Sequence, residues 1–228
     1  MKKILLIGDS IRKGYDAYVR ESMKSLAEVF YPEENCTFTT NILRFLHLWT
    51  DRLGLYEADA VHFNAGLWDT LRIYGDDVLV SPEVYADNLR RIAARIHFLF
   101  PKAAIVFATT TPVLEEEYLT DFESRTNADI CRYNQIAREV FAGTSVLIDD
   151  LYTLAVSFPK SYHSDQTHFY TGKATERLGN QVCEVLCDAL SLDKTKLMKP
   201  DLTPFSMPQC FLSDKEAYEK RGHIYVSK

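Results

Sequence analysis

The chain has 228 residues, 46% of them apolar, and a formal net charge of −6. That length suits one domain with a sizeable core, and that apolar share excludes a disordered chain. The acidic balance and the lack of Lys/Arg clusters exclude nucleic acid as the main partner.

Residues 3–7 (Lys-Ile-Leu-Leu-Ile) read as a buried parallel strand closed by Gly8-Asp9-Ser10. Ser10 therefore falls just past the strand's carboxyl end, where sites gather in open α/β sheets. Residues 15–30 are predicted to form one helix, with Val19, Met23, Leu26 and Phe30 on a single face and Pro32 ending it. Residues 35–40 read as a loop or short strand, 42–53 as a helix carrying Leu43, Leu46 and Trp49, and 60–64 as a second buried strand. Ser81 caps and Pro82 opens a helix that is expected to bury Val84, Leu89, Ile92 and Ile96 and to stop before Pro101.

Residues 103–108 form the third predicted strand, which leaves through Thr109-Thr110-Thr111-Pro112, and Glu115-Glu116-Glu117 reads as a solvated face. Ile130, Tyr133, Ala137 and Val140 mark a further helix, and residues 145–148 a fourth strand. Thr171 caps a last helix with Ala174, Leu178, Val182 and Leu186 inward. Strands alternating with helices of this length imply βαβ units and a parallel sheet covered on both faces. After Leu192, lysines and prolines break any period, and residues 217–226 suit a short helix or an edge strand. The expected organisation is a domain over residues 1–191, with 192–228 as an extension packed on it or on a second subunit.

Four apolar residues between Met1-Lys2-Lys3 and Gly8 are too few for a secretory signal. No stretch approaches the roughly 20 apolar residues of a membrane span. The expectation is a cytoplasmic protein, or one from which a signal has been removed. The five cysteines are an odd number and read as reduced. Cys183 and Cys187 share a helix face but have no second ligand pair, so no metal and no other cofactor is expected.

Ser10, His168 and Asp165 supply a nucleophile, a base and an orienting carboxylate, the minimum set for splitting an acyl ester through a covalent intermediate. A serine after a strand also serves as a helix cap. Here Gly8 permits a tight turn and Gly14 is available to the same loop. At the start of the next helix, the backbone N–H of Ser10 would point at a developing oxyanion. His168 is preferred among the histidines because Asp165, three residues earlier, shares its side of a turn and takes the ring N–H. His163 is its competitor and lacks such a partner. His62 alternates with Val61 and Phe63 and reads as a core or sheet-face residue, His47 and His97 lie on helices, and His223 lies in the tail. Asp149-Asp150, after a strand, suits a helix cap.

Three blocks occur in order: Gly8-Asp9-Ser10; Gly66 followed by Asp69 after a strand; and Asp165-Gln166-Thr167-His168-Phe169 before the last helix. Over residues 3–190 this resembles the GDSL/SGNH hydrolase family. The resemblance implies a flavodoxin-like, three-layer α/β/α sandwich with a short, mostly parallel sheet. It also implies a metal-free serine esterase with Ser10 as nucleophile, His168 as base and Asp165 as orienter. The G-x-S-x-G elbow of α/β-hydrolases is absent, as are G-x-G-x-x-G and the P-loop order.

Two blocks depart from the family. Where it carries an oxyanion-binding Asn, this chain has Trp68, in Gly66-Leu67-Trp68-Asp69; an indole N–H donates one hydrogen bond. Asn64 is an alternative amide, or else a structural strand-end residue. The glycine of the second block has no counterpart near residues 35–39. A lost oxyanion donor costs about 100- to 1000-fold in rate.

The reading that results is a serine hydrolase of a small-molecule ester with an acetyl-like acyl group, such as one on a sugar, because no long apolar lid segment is evident. Trp68, Phe63 and Tyr170 are candidates to wall the site or stack on a sugar ring, with core packing the preferred role for Phe63. The alternative is a non-catalytic module that binds a glycan or acylated ligand on the same fold. In either case a second copy of the chain is a candidate partner.

Overall fold

The structure is a computed structural model that describes residues 1–118 and 122–211; the tail segment 217–226 lies outside the described residues. Strand β1 (Lys2–Ile7) ends at the Gly8 turn, and the Asp9 side chain accepts the Ile11 N–H to cap helix α1 (Ser10–Met23). There follow β2 (Ala27–Phe30), α2 (Thr39–Arg52), β3 (Ala60–Asn64), β4 (Arg72–Ile73), α3 (Pro82–Leu99) and β5 (Ala104–Ala108). The chain continues through β6 (Glu123–Ser124), α4 (Asn127–Phe141), β7 (Leu147–Asp149), α5 (Leu151–Ala155) and α6 (Gly172–Leu190).

Five strands form one parallel sheet in the order β2-β1-β3-β5-β7, and β4 pairs antiparallel with β6 as a separate ribbon. Alternate side chains of a strand point to opposite faces. Ile4 and Leu6 accordingly join Tyr15, Val19, Leu178 and Val182 beneath α1 and α6. Leu5 and Ile7 join Leu46, Leu89, Ile92 and Ala137 beneath α2, α3 and α4. The result is the three-layer α/β/α sandwich expected. From β1 the connections run outward both ways, to β2 on one side and to β3 on the other. The crevice at the carboxyl ends of β1 and β3 is thus the switch point at which such sheets hold ligands.

Three local expectations need correction. Residues 15–30 are not one helix: α1 starts at Ser10 and ends at Met23, and Ala27–Phe30 is the edge strand β2, paired with Lys2 to Leu5. The apolar spacing of Val19, Met23, Leu26 and Phe30 fits a helical period, but Ala27 and Val29 are the residues buried in β2, and pairing with β1 prevails over the local pattern. Val84 is 49% exposed in the first turn of α3, and Tyr85 occupies the buried face instead. The segment 35–40 is a loop that already enters α2 at Thr39.

Past α6, the described part of the C-terminal segment lies along α1. The Met198 N–H donates to Ser22 O at 2.8 Å, Phe205 packs edge-on against Tyr18 with ring centres 5.7 Å apart, and the Met207 N–H donates to Tyr170 O at 2.8 Å. Among the described residues no helix is long and apolar enough to cross a membrane, and no group of three or more His, Cys, Asp or Glu converges as a metal site. Cys183 and Cys187 are core residues whose thiols burial pushes up, that of Cys183 to about 12.

Candidate active site

Ser10 is the first residue of α1, so its N–H has no intrahelical acceptor and its hydroxyl projects from the end of β1. Ser10 Oγ lies 2.8 Å from His168 Nε2, and His168 Nδ1 lies 2.9 Å from Asp165 Oδ2 and 3.0 Å from Oδ1. The three residues singled out in the sequence therefore meet in one hydrogen-bonded chain. Asp165 and His168 sit on a turn closed by the Ser164 N–H donating to His168 O at 2.8 Å. Within that turn Asp165 Oδ1 also accepts the N–H groups of Thr167 (2.7 Å) and His168 (2.8 Å). Burial pushes the Asp165 carboxyl up, but the His168 ring and these two N–H groups more than offset it and hold it below the usual carboxylate range.

His163, the competing base, is 2% exposed, packs its ring 4.2 Å from that of Phe169, and is pulled down to about 4 by burial. It is a neutral core residue. His62 is wholly buried and pairs through Nε2 with Asp149 Oδ2 at 2.9 Å, on the core side of β3. Tyr170 does more than wall the site. Its ring stacks on His168 with centres 4.8 Å apart, and its hydroxyl donates to Ser10 O at 2.7 Å, so one side chain locates both nucleophile and base. Phe63 is wholly buried against Phe107 and Phe141.

The surrounding loops are fixed by buried polar contacts. Asp9 Oδ1 accepts Ile11 N–H and Asn64 Nδ2–H, both at 2.9 Å, and burial raises the Asp9 carboxyl. Gly8 is required by this packing, since a Cβ there would stand 1.8 Å from Asn64 Oδ1. Asn64 is thus turned toward Asp9, beneath the nucleophile. Gly66 has φ +138°, and a Cβ there would stand 2.3 Å from Thr110 Oγ1. Asp69 accepts the Thr39 N–H and hydroxyl at the start of α2, and burial pushes its carboxyl up to about 7.

In the loop before α2, Thr37 adopts φ +52°, and its N–H is taken by Asn35 Oδ1 at 2.9 Å; the Cys36 N–H donates to Gly8 O at 3.1 Å. Neither N–H is available to a ligand. The buried Arg12 guanidinium holds that loop against α1 by donating to Pro32 O (2.8 Å) and Glu34 O (2.7 Å). Trp68 lines the cleft, and its Nε1–H has no hydrogen-bond partner among the described residues. The Ser10 N–H and the Trp68 indole are two donors of this cleft that have no partner among the described residues.

The cleft measures about 280 Å³ and is lined by Ser10, Trp68, Glu123, Arg125, His168 and Cys210 with the Asp165–Thr167 turn. A larger recess of about 450 Å³, bordered by Lys3, Tyr56, Asp59, Phe100 and Lys102, lies at the opposite end of the sheet and holds no nucleophile–base pair. Arg12, Arg125 and Glu123 were not singled out in the sequence. The last two belong to a two-residue strand and the short connection after it, too short to leave a periodic signal.

No protein-family model matches the chain, and no curated protein matches it in sequence. Solved structures do match. A lipase/acylhydrolase from Enterococcus faecalis is 19% identical with a TM-score of 0.65, covering 88% of this chain and 100% of its own. A carbohydrate esterase family 3 protein from Talaromyces cellulolyticus is 15% identical with a TM-score of 0.64, over 84% of this chain and 99% of its own. The acetyl xylan esterase AlAXEase is 13% identical with a TM-score of 0.63, over 81% of this chain and 99% of its own. At these identities the likeness establishes the fold: the chain has the α/β architecture of GDSL-like esterases and lipases.

Proposed function

We propose that the protein is a serine ester hydrolase that removes a small, acetyl-like acyl group, with a carbohydrate as the preferred alcohol. The observation that carries this reading is the unbroken chain from Ser10 Oγ through His168 to Asp165 at the mouth of the β1/β3 crevice. His168 Nε2 takes the hydroxyl proton as Ser10 Oγ attacks the acyl carbon. Asp165 holds the Nδ1–H tautomer and steadies the imidazolium that forms. The Ser10 N–H at the α1 terminus and the Trp68 indole N–H bind the oxyanion. His168 returns the proton to the leaving alcohol, and a water activated by the same ring clears the acyl group.

A cleft of about 280 Å³ supports a small substrate over a fatty-acyl chain. The acetyl xylan esterase and carbohydrate esterase among the structural neighbours support the acetyl–carbohydrate pairing. Asn64 serves as a positioning residue, through Asp9, and not as an oxyanion donor. A binding module on the same fold is the second reading, favoured by the occupied N–H groups of Cys36 and Thr37.

Hydrolysis of nitrophenyl acetate and nitrophenyl palmitate by wild type and Ser10→Ala separates these readings. The esterase reading expects turnover of the acetate over the palmitate and its loss in Ser10→Ala. Equal rates in wild type and variant overturn it.

A further inference from the structure

Among the described residues, Arg125 is a buried cation without a counter-ion. It is 6% exposed, its Nε–H donates to Leu67 O at 2.6 Å, and its Nη1 reaches only the Tyr118 hydroxyl at 3.5 Å. No carboxylate lies within ion-pair distance of it among the described residues, although Glu123 and Asp165 border the same cleft. Burying a guanidinium is costly, and such groups are ordinarily paired. The Leu67 carbonyl fixes one edge of this guanidinium, and its plane approaches the Trp68 ring with Cζ 6.0 Å from the ring centre. The terminal nitrogens therefore remain as a preorganised donor edge in the cleft that also holds Ser10 and His168.

We propose that Arg125 is the specificity determinant of this cleft and that the ester it accepts carries an anionic oxygen group, a carboxylate or a phosphate, close to the scissile acyl group. The proposal rests on the esterase reading for its substrate, but not for its binding step. The planar guanidinium matches such a group in a two-pronged contact. Joined to the carbohydrate reading, the substrate class is the acetyl ester of an acidic sugar. Arg125 acts on substrate choice, and the proton transfers stay with His168.

The test compares O-acetylated methyl glucuronoside with the matching O-acetylated methyl glucoside, and adds acetylated glycerol phosphate as the phosphate arm. In wild type the anionic esters should have the higher kcat/KM. In Arg125→Gln the anionic-to-neutral ratio should fall about 10- to 100-fold, the span expected for one charged hydrogen-bonded contact, chiefly through KM. Arg125→Lys keeps the charge without the fork and should retain part of the ratio. The anion with the higher wild-type ratio identifies the source.

Calorimetry on the Ser10→Ala protein with methyl glucuronoside, methyl glucoside and glycerol phosphate tests the same contact with no turnover. Preferential binding of an anion that Arg125→Gln abolishes sustains the proposal even if wild type hydrolyses none of the esters. No anion preference in wild type, or an equal loss on charged and neutral esters in the variants, overturns it. If Arg125→Gln does not fold, the wild-type preference and the Lys variant decide.

Discussion

Replacing Asp165 with Asn tests the geometry of the site most sharply, because it changes one atom and leaves the shape intact. Asp165 Oδ1 accepts two backbone N–H groups, from Thr167 at 2.7 Å and His168 at 2.8 Å, so the amide oxygen of Asn must take that place. The amide nitrogen then falls at the position of Oδ2, 2.9 Å from His168 Nδ1. An amide N–H facing a ring N–H is repulsive, so the imidazole shifts its proton to Nε2 and accepts at Nδ1. Nε2 is the atom 2.8 Å from Ser10 Oγ, and once protonated it cannot take the serine proton. The expected loss is about 1000- to 10,000-fold in kcat with little change in KM. The assay is steady-state hydrolysis of nitrophenyl acetate, with thermal unfolding of the variant to confirm that the fold is kept. An Asp165→Asn protein within tenfold of wild type would refute the reasoning.

Gly8→Ala should destabilise the protein by about 1–3 kcal/mol, read as a lower midpoint in denaturant, because the new Cβ drives Asn64 away from Asp9 and shifts the loop that carries Ser10. Trp68→Phe removes the indole donor and keeps the ring; kcat should fall about 100-fold or more, while a fall of only two- or threefold would place the oxyanion elsewhere. Asp69 makes stability depend on pH. Its carboxyl is held at about 7 in the folded state against an ordinary 3.8, so the folded state binds the proton more tightly and stability declines as pH rises between those values. The decline is at most about 4 kcal/mol and levels off above about pH 7. Asp69→Asn should flatten it, measured as unfolding free energies at about pH 5 and about pH 8; an unchanged slope would remove Asp69 as its source.

The catalytic candidates were legible because each motif is local. Gly8-Asp9-Ser10 follows an uninterrupted apolar run, and Asp165 and His168 are three residues apart on one turn, so short spacing in sequence became short distance in space. The parallel sheet covered by helices on both faces was legible from the strand–helix alternation, whereas the order of its strands is read from their pairing. Strand β2 was not legible, since an edge strand of four residues depends on its pairing with β1, and its apolar residues also satisfy a helical period. The partner of Asn64 and the surroundings of Arg125 are tertiary facts. The first depends on how closely β3 passes Gly8, and the second on Leu67 and Tyr118 arriving from separate loops. Sequence supplied the reacting atoms here, and the structure supplied what holds and surrounds them.

The central claim is that Ser10 is an activated nucleophile. Incubating the protein with a fluorophosphonate and mapping the adduct by mass spectrometry tests it directly, because the reagent marks a serine whose proton is drawn off by a neighbouring base. The account predicts a single adduct on Ser10, lost in His168→Ala. An unlabelled protein, or labelling of Ser10 that is unaffected by loss of His168, would contradict it.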